Sequence, residues 1–430
     1  MVLTVIQFKR TKKAAEMNFV KTRKKNPLIS LVLGAVLLFG GGIARAAQEP
    51  SSSCGVCHSD RKVEYQNSIH ARADVRCVDC HGGNERDLTD AAHEKRFGFR
   101  GKFSRKEIVL LCGNCHAKSR LMNTYGIRSD QLTQYKTSAH GQALFRRNDP
   151  NVAICTDCHG VHGVVSVKSP SSPVYYFNVP QTCGRCHSNK KMMDRYHLPA
   201  DIVQRYREGV HGKLLVQKNR RDVPNCIRCH GSHGAAPPGV NDIENVCGQC
   251  HVRTRDYYDK SAHKMAFLQN GISQCMSCHA PHRTEKAVLN YFDKKCSRCH
   301  DKNSGEFRRA QQIRVQIESV QQDIQDVYAY LHQAQRRGIY IDDYLEQLSE
   351  ARTRLVEAIP ASHSLRLEDV EQFTSEARGV AADVRIAVEG KLGERNFWRY
   401  LILGVWIFII ILEGALFLQM RRKRKAENTI

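Results

Sequence analysis

Nine copies of Cys-x-x-Cys-His lie between residues 54 and 300, and together they use all eighteen cysteines of the chain. Two thiols at this spacing can form thioether bonds with the two vinyl groups of a haem, and the histidine that follows can bind the iron. A disulfide framework or zinc ribbons would also use paired cysteines, but neither requires a histidine after every pair. The pattern therefore predicts nine covalently attached haem c groups.

Each motif supplies two thioether cysteines and one proximal iron ligand. The predicted thioether residues are Cys54, Cys57, Cys77, Cys80, Cys112, Cys115, Cys155, Cys158, Cys183, Cys186, Cys226, Cys229, Cys247, Cys250, Cys275, Cys278, Cys296 and Cys299. The predicted proximal ligands are His58, His81, His116, His159, His187, His230, His251, His279 and His300.

Nine further histidines lie in the same stretch and are predicted as distal ligands. They are His70, His93, His140, His162, His197, His211, His233, His263 and His282. An iron with imidazole on both faces has no open position for a substrate, so this count favours electron transfer. The alternative for each is a surface or packed imidazole, and it applies most to His197, which lies outside the repeated motifs. His332 and His363 fall in a segment without cysteine.

An internal repeat accompanies the motifs. A Tyr-x-x-(Ser or Gly)-x-His segment precedes each even-numbered motif and begins at Tyr65, Tyr135, Tyr206 and Tyr258. In the last three units another histidine stands three residues after the proximal one, and His93 is the expected substitute in the first. A histidine tethered so closely cannot reach the opposite face of the same iron, so we expect it to bind a neighbouring haem. The tyrosines are expected to pack against haem edges or bind a propionate.

The motif region, residues 47–302, is predicted to have a mainly α and irregular fold with little sheet. Nine haems leave about 28 residues for each, too few for a conventional side-chain core. The porphyrins are therefore expected to form most of the interior, with metal and thioether bonds holding the chain. We expect the haem-free chain to stay unfolded.

Residues 303–397 contain no cysteine and are predicted to form a helical stalk. The first apolar series follows a heptad spacing from Ile313 to Ala334, and Gly338 interrupts it. A second series runs from Ile341 to Ile359, and a third runs from Val370 through Phe373, Ala377, Val380 and Val384. An antiparallel hairpin or bundle explains this pattern, and so does an intermolecular coiled coil that would make a homo-oligomer.

Both ends of the chain carry membrane-targeting signals. Residues 1–46 have a basic start, an apolar run and a small-x-small site, which predicts a secretory signal peptide; an uncleaved anchor is the alternative. Residues 398–420 are predicted to form a transmembrane helix in the lipid bilayer, because Leu401 to Leu418 is apolar apart from Glu413. The basic tail, residues 421–430, places the C-terminus in the cytoplasm. Glu413 could face a partner or quinone, or extend to the headgroups.

The basic composition does not indicate a nucleic-acid partner. About half of the net charge of +23 lies in residues 1–46 and 421–430. The two propionates of each haem would balance most of the remainder, so the loaded protein is expected to be nearly neutral.

Over about residues 50–302 the chain resembles the multihaem c-type cytochromes of bacterial respiration. The resemblance implies an electron-transfer protein anchored in the inner membrane, with its haem domain in the periplasm. A quinol-oxidising or cytochrome b-type membrane subunit and periplasmic or outer-membrane redox proteins are the expected partners. The alternative is a multihaem oxidoreductase acting on nitrite, hydroxylamine or a sulfur compound through one five-coordinate haem. No Cys-x-x-Cys-Lys motif of one nitrite reductase family is present.

Overall fold

A computed structural model describes residues 52–234, 243–286 and 288–427. None of these residues lies in a β-strand, so the mainly helical prediction is confirmed for this part of the chain. The predicted signal peptide and the last three residues of the predicted tail lie outside the described residues.

Short helices separated by turns make up the motif region. Its α-helices within the described ranges are α1 (Cys54–Cys57), α2 (Ser59–Gln66), α3 (Ile69–Arg72), α4 (Cys77–His81), α5 (Arg105–His116), α6 (Ser119–Asn123), α7 (Gln131–Thr137), α8 (Ala139–Arg147), α9 (Cys155–His159), α10 (Val179–His187), α11 (Lys190–Asp194), α12 (Ile202–Glu208), α13 (Val210–Lys218), α14 (Cys226–His230), α15 (Val252–Asp259), α16 (Ala262–Gln269), α17 (Gln274–Cys278) and α18 (Tyr291–Cys296). Short 3-10 helices occur at Asp90–His93, Lys95–Phe97, Ile243–Asn245 and Cys247–Gln249.

The repeated Tyr-to-His segments form pairs of helices that share one break. The tyrosine lies in the first helix, the Ser or Gly is the N-cap of the second, and the histidine is the second residue of that helix. Ser68 Oγ accepts the backbone N–H of Ala71 at 3.0 Å, and Ser138 Oγ accepts that of Gly141 at 3.0 Å. N-capping thus explains why the histidine follows the Ser or Gly by two residues.

Three of the even-numbered motifs form a single helical turn that ends at the proximal histidine, namely α4, α9 and α14. Glycine follows each one with a positive φ, 68° at Gly82, 83° at Gly160 and 76° at Gly231. Glycine adopts this conformation without steric cost, so the chain turns away directly after the ligand. A Cβ at Gly82 would also lie 2.0 Å from the carbonyl oxygen of Gly98.

The cysteine-free region forms three antiparallel helices, α19 (Gly305–Arg336), α20 (Asp342–Ala361) and the start of α21 (Leu367–Glu427), with a 3-10 turn at Ser362–Ser364. Each of the three packs against the other two. The buried face of α19 contains every residue of the predicted seam: Ile313, Ile317, Val320, Ile324, Val327, Leu331 and Ala334. The spacing therefore predicted the packed face of this helix correctly.

The seams of the other two helices differ from the prediction by one residue each. Ile359 is exposed and Ala358 is buried in its place, while Ala381 is more deeply buried than Val380. Alanine at these positions lets the helices approach closely, so the larger neighbour turns outward. Pro360 lies inside the last turn of α20, which ends one residue later.

One end of the bundle contacts the motif region. The end of α20 and the turn at Ser362–Ser364 both lie against α15, and α18 packs on α19. From this end α21 runs along the bundle and continues into its apolar part. It is the one helix in the described residues that is long and apolar enough to cross a membrane.

Candidate haem ligand pairs

Each of the nine motif histidines faces one histidine from outside the motifs. The ring centroids are 5.8 to 6.3 Å apart in all nine cases. The pairs, motif residue first, are His58 with His93, His116 with His70, His81 with His162, His187 with His140, His159 with His233, His251 with His211, His230 with His282, His300 with His263, and His279 with His363.

The separation of the paired rings is almost constant, whereas the angle between their planes is not. The angle ranges from 8° for His159 and His233 to 88° for His58 and His93. Rings in direct contact prefer particular mutual orientations. Two imidazoles bound to one metal can rotate about their bonds without changing their separation. Metal–nitrogen bonds of about 2.0 Å would place the ring centres about 6 Å apart, so the pairs fit axial coordination of an iron.

The rest of each coordination sphere would have to come from the porphyrin. Within the described residues, no group of three or more His, Cys, Asp or Glu side chains is arranged to hold a metal ion by itself. All eighteen cysteines are free thiols, so they are available for thioether bonds. The disulfide alternative therefore finds no support in this structure.

Seven of the nine pairs fall into two classes according to the repeat, in which a unit is a Tyr-to-His segment with the two motifs that follow it. The histidine of each Tyr-to-His segment faces the odd-numbered motif of its own unit, as His140 faces His187. The histidine three residues past an even-numbered motif faces the even-numbered motif of the preceding unit, as His233 faces His159. The tether argument predicts that this histidine cannot pair with the motif histidine three residues before it. In the structure it faces a different motif. Pairing thus alternates within and between units.

Two residues differ from the predicted distal set. All nine motif histidines have partners that do not include His197, which is exposed and has a left-handed backbone with φ of 54°. His363, placed outside the haem region by the sequence argument, faces His279 at 6.3 Å instead. Eight of the nine histidines predicted as distal ligands therefore face a motif histidine, and His363 faces the ninth.

Burial lowers the pKa of many of these imidazoles, since the charged form loses its hydration. Among the motif histidines this holds for His81, His116, His159, His187, His230 and His279. Among their partners it holds for His70, His140, His211, His233, His263, His282 and His363. A lowered pKa keeps the ring neutral near pH 7, which is the form that binds a metal.

The repeat tyrosines position the helix pairs. The hydroxyl groups of Tyr65, Tyr135 and Tyr206 each donate a 2.8 Å hydrogen bond to the backbone carbonyl two residues before the first cysteine of the following motif. The hydroxyl proton is thereby used, so the expected bond from these three to a propionate is wrong. Tyr258 departs from this pattern, because its hydroxyl oxygen lies 3.4 Å from the carbonyl oxygen of His263.

Thiols of consecutive motifs lie close together along the chain. In three pairs the neighbouring thiol raises the pKa of its partner: Cys155 that of Cys112, Cys226 that of Cys183 and Cys247 that of Cys275. Between the other five pairs of consecutive motifs, burial first and then the thiol of the adjacent motif raise a cysteine pKa. The cysteines are Cys77, Cys80, Cys158, Cys229 and Cys278. At Cys278 the charge of Arg298 opposes this rise and is a stronger influence than the neighbouring thiol. The first to the ninth motif therefore follow one another in space in their sequence order.

The chain is similar to the multihaem cytochrome MtrA of Shewanella baltica (strain OS185), with 25% identity over 207 residues. The aligned part covers 47% of this chain and 51% of that protein, so the chain spans about half the length of the curated relative it matches. No protein-family model and no solved structure matches the chain. The likeness supports a multihaem c-type cytochrome with covalently bound haem c.

Proposed function

We propose that the protein is a membrane-anchored electron-transfer cytochrome with nine bis-histidine haems. The observation that carries this proposal is the partner that faces every one of the nine motif histidines. A c-type haem bound at each motif would supply an iron that changes between its ferric and ferrous states. The chain's own residues would hold that iron on both faces and keep substrates from it.

The consecutive order of the motifs supports a linear relay. The motif histidines also follow this order. After burial, the charge of the preceding motif histidine helps to lower the pKa of the next: His58 acts on His81, His116 on His159, His187 on His230 and His251 on His279. Electrons would therefore pass along the sequence order of the motifs, between an end near Cys54 and an end near the helical bundle.

The scarcity of a side-chain core supports a haem-filled interior. Across the described residues of the motif region, thirteen apolar side chains are buried. The largest buried cluster there contains six residues, centred on Val109, Leu144 and Ile154. This is little apolar burial for a region of this length, and nine porphyrins would provide the missing apolar contacts.

The long helix α21 supports a membrane anchor with the motif region held away from the bilayer. About 30 residues separate its start at Leu367 from Trp398 at the beginning of the apolar part. At 1.5 Å per residue this is about 45 Å. Such a distance favours a separate quinol-oxidising or cytochrome b-type membrane subunit as the electron donor. Periplasmic or outer-membrane redox proteins would then be the acceptors.

The basic residues after the apolar part support an orientation with the C-terminus in the cytoplasm and the motif region in the periplasm. Haem attachment to Cys-x-x-Cys-His takes place outside the bacterial cytoplasm, which requires the same orientation. The predicted signal peptide would direct this export.

The test is low-temperature electron paramagnetic resonance of the oxidised, full-length protein, together with its mass. We expect a mass that accounts for nine haems and low-spin ferric signals throughout. A stoichiometric high-spin signal would contradict the relay and favour the alternative, an oxidoreductase with one five-coordinate haem. That alternative needs a motif histidine without a facing partner, and each of the nine has one.

A further inference from the structure

The turn between α20 and α21 brings a histidine of the helical bundle to the motif region. His363 lies in the 3-10 turn Ser362–Ser364 and faces the proximal histidine His279, with ring centroids 6.3 Å apart and planes at 25°. This separation falls within the range of the other eight pairs. The bundle therefore supplies one of the nine facing imidazoles.

The repeat explains why the bundle is needed at this position. Each even-numbered motif faces a histidine from the following unit: His81 faces His162, His159 faces His233, and His230 faces His282. His279 belongs to the last unit, so no following unit exists to provide its partner. The angles of these three pairs are 28°, 8° and 15°, and the 25° of His279 and His363 belongs with them.

A hydrogen bond fixes which nitrogen of His363 is available. Its Nδ1 lies 3.2 Å from the carbonyl oxygen of Ile359. A carbonyl oxygen can only accept, so Nδ1 carries the hydrogen and Nε2 keeps its lone pair. Ligating histidines characteristically donate their second ring nitrogen to a backbone carbonyl in this way, which sets the tautomer and the orientation of the ring.

The turn around His363 is tightly built. Ser362 Oγ donates to the carbonyl of Ile359 at 2.7 Å, and Ser364 Oγ donates to that of Ala361 at 2.9 Å. Leu365 then adopts a left-handed conformation with φ of 57°, which allows α21 to start in a new direction. A non-glycine residue is uncommon in this conformation. The position of the imidazole therefore follows from the turn and does not depend on a flexible loop.

Contacts on both sides of the turn hold the bundle against the motif region. Arg253 of α15 pairs with Glu357 of α20 at 2.9 Å. The apolar cluster at this end of the bundle, which includes Ala358 and Phe373, is covered by Tyr257, Leu289 and Phe292 of the motif region. These contacts keep His363 in position opposite His279.

His197, in contrast, occupies a position that glycine fills in the preceding unit. The turn after α6 places Gly126 at φ of 64°, and the turn after α11 places His197 at φ of 54°. The next residue bonds back to a buried methionine in both turns, Ile127 to Met122 at 3.0 Å and Leu198 to Met193 at 3.1 Å. His197 thus belongs to the turn that follows α11, and its exposed ring faces none of the nine motif histidines.

We propose that His363 is the distal axial ligand of the haem attached through Cys275 and Cys278. The inference rests on the proposed function and adds that the helical bundle completes the relay. The last even-numbered site then depends on a residue more than 80 positions further along the chain. Docking of the bundle and ligation of this iron become one event.

The test compares His363→Ala with His197→Ala in the full-length, haem-loaded protein by low-temperature electron paramagnetic resonance. We expect His363→Ala to convert about one iron in nine to a high-spin ferric signal, because its distal position is vacated. His197→Ala is the matched control and should leave the spectrum of the parent protein unchanged. An unchanged spectrum for His363→Ala, or a new high-spin signal in His197→Ala, would overturn the inference.

A conservative variant keeps the test decisive if His363→Ala does not accumulate. His363→Met should remain low-spin, show the near-infrared charge-transfer band of a methionine-bound ferric haem, and raise the reduction potential of one haem. A spectrum and titration identical to those of the parent protein would count against His363 as a ligand. A high-spin signal already present in the parent protein would instead contradict the proposed function, so the two failures are distinguishable.

Discussion

The motif region and the helical bundle fill their interiors in different ways. The described residues of the motif region bury thirteen apolar side chains. The bundle is shorter, yet it buries twenty-one between Phe307 and Leu392. The bundle has the continuous seams of a self-sufficient helical fold. The motif region has short helices, free thiols and facing histidines. The bundle is therefore organised by its packed side chains, whereas the motif region has the sparse side-chain core that we expect if bound haems, as proposed, fill its interior.

The largest expected effect comes from preventing haem attachment. In protein exported without cytochrome c maturation, we expect residues 52–302 to lack stable structure, because their stabilisation depends on metal and thioether bonds. The bundle should remain helical. Limited proteolysis with mass spectrometry would check this, since cleavage should be confined to the motif region. Protection of both regions, with a cooperative melt of the motif region, would break the comparison.

Two fully buried leucines provide the next test, Leu331 in the bundle and Leu215 in α13. Leu331→Ala should lower the free energy of unfolding of the bundle by about 2–5 kcal/mol, because a cavity is left in a packed seam. Leu215→Ala is the matched variant and should shift the melting temperature less, since covalent attachment still holds the chain around it. Thermal melts followed by circular dichroism and by haem absorbance would separate the two regions. A larger effect of Leu215→Ala would reverse the proposed difference.

A smaller effect is expected from the tyrosine hydrogen bonds of the motif region. Tyr135→Phe removes the 2.8 Å bond to the carbonyl of Ala153 and should cost about 1 kcal/mol. Tyr258→Phe is the control, because its hydroxyl lies 3.4 Å from its acceptor and should contribute less. Chemical denaturation of the two loaded variants would measure the difference, and equal losses would show that the shared tyrosine has another role.

The smallest effect is expected where the two regions meet. Glu357→Gln removes the charge of the pair with Arg253, whose side chains are 60% and 38% exposed for Arg253 and Glu357 respectively. Solvent screens such a pair, so the loss of stability should be about 0–1 kcal/mol. A double-mutant cycle would measure it, with Glu350→Gln within the bundle as the reference. A coupling energy well above this range would mean that the ion pair holds the two regions together. The apolar cluster and the contact of His363 with His279 would then contribute less than proposed.

Much of the architecture could be predicted locally. The Ile313 to Ala334 spacing identified the buried face of α19, and the Tyr-to-His segments correspond to capped helix pairs. These features depend on residues a few positions apart. The roles of the tyrosine hydroxyls and the exchange of Ile359 for Ala358 were not predicted, because they depend on which chain segments approach each other.

The glycine after some distal histidines shows the same limit. A Cβ at Gly141 would lie 1.9 Å from the carbonyl oxygen of Tyr135, and one at Gly212 would lie 2.0 Å from that of Tyr206. The sequence contains His-Gly at both places, but the reason for the glycine is the close crossing of two helices. Only the packed structure contains that information.

The sequence by itself determined the chemistry that is available: eighteen thiols in nine motifs, an imidazole after each pair, three heptad-patterned segments and an apolar final segment. These are properties of residue type and short spacing. The tertiary structure alone decided which imidazole faces which, and it placed His363 rather than His197 opposite a motif histidine. The physical reason is that the facing imidazoles are brought together by the stacking of units and by the docking of a helix turn, and neither leaves a periodic signal in the chain.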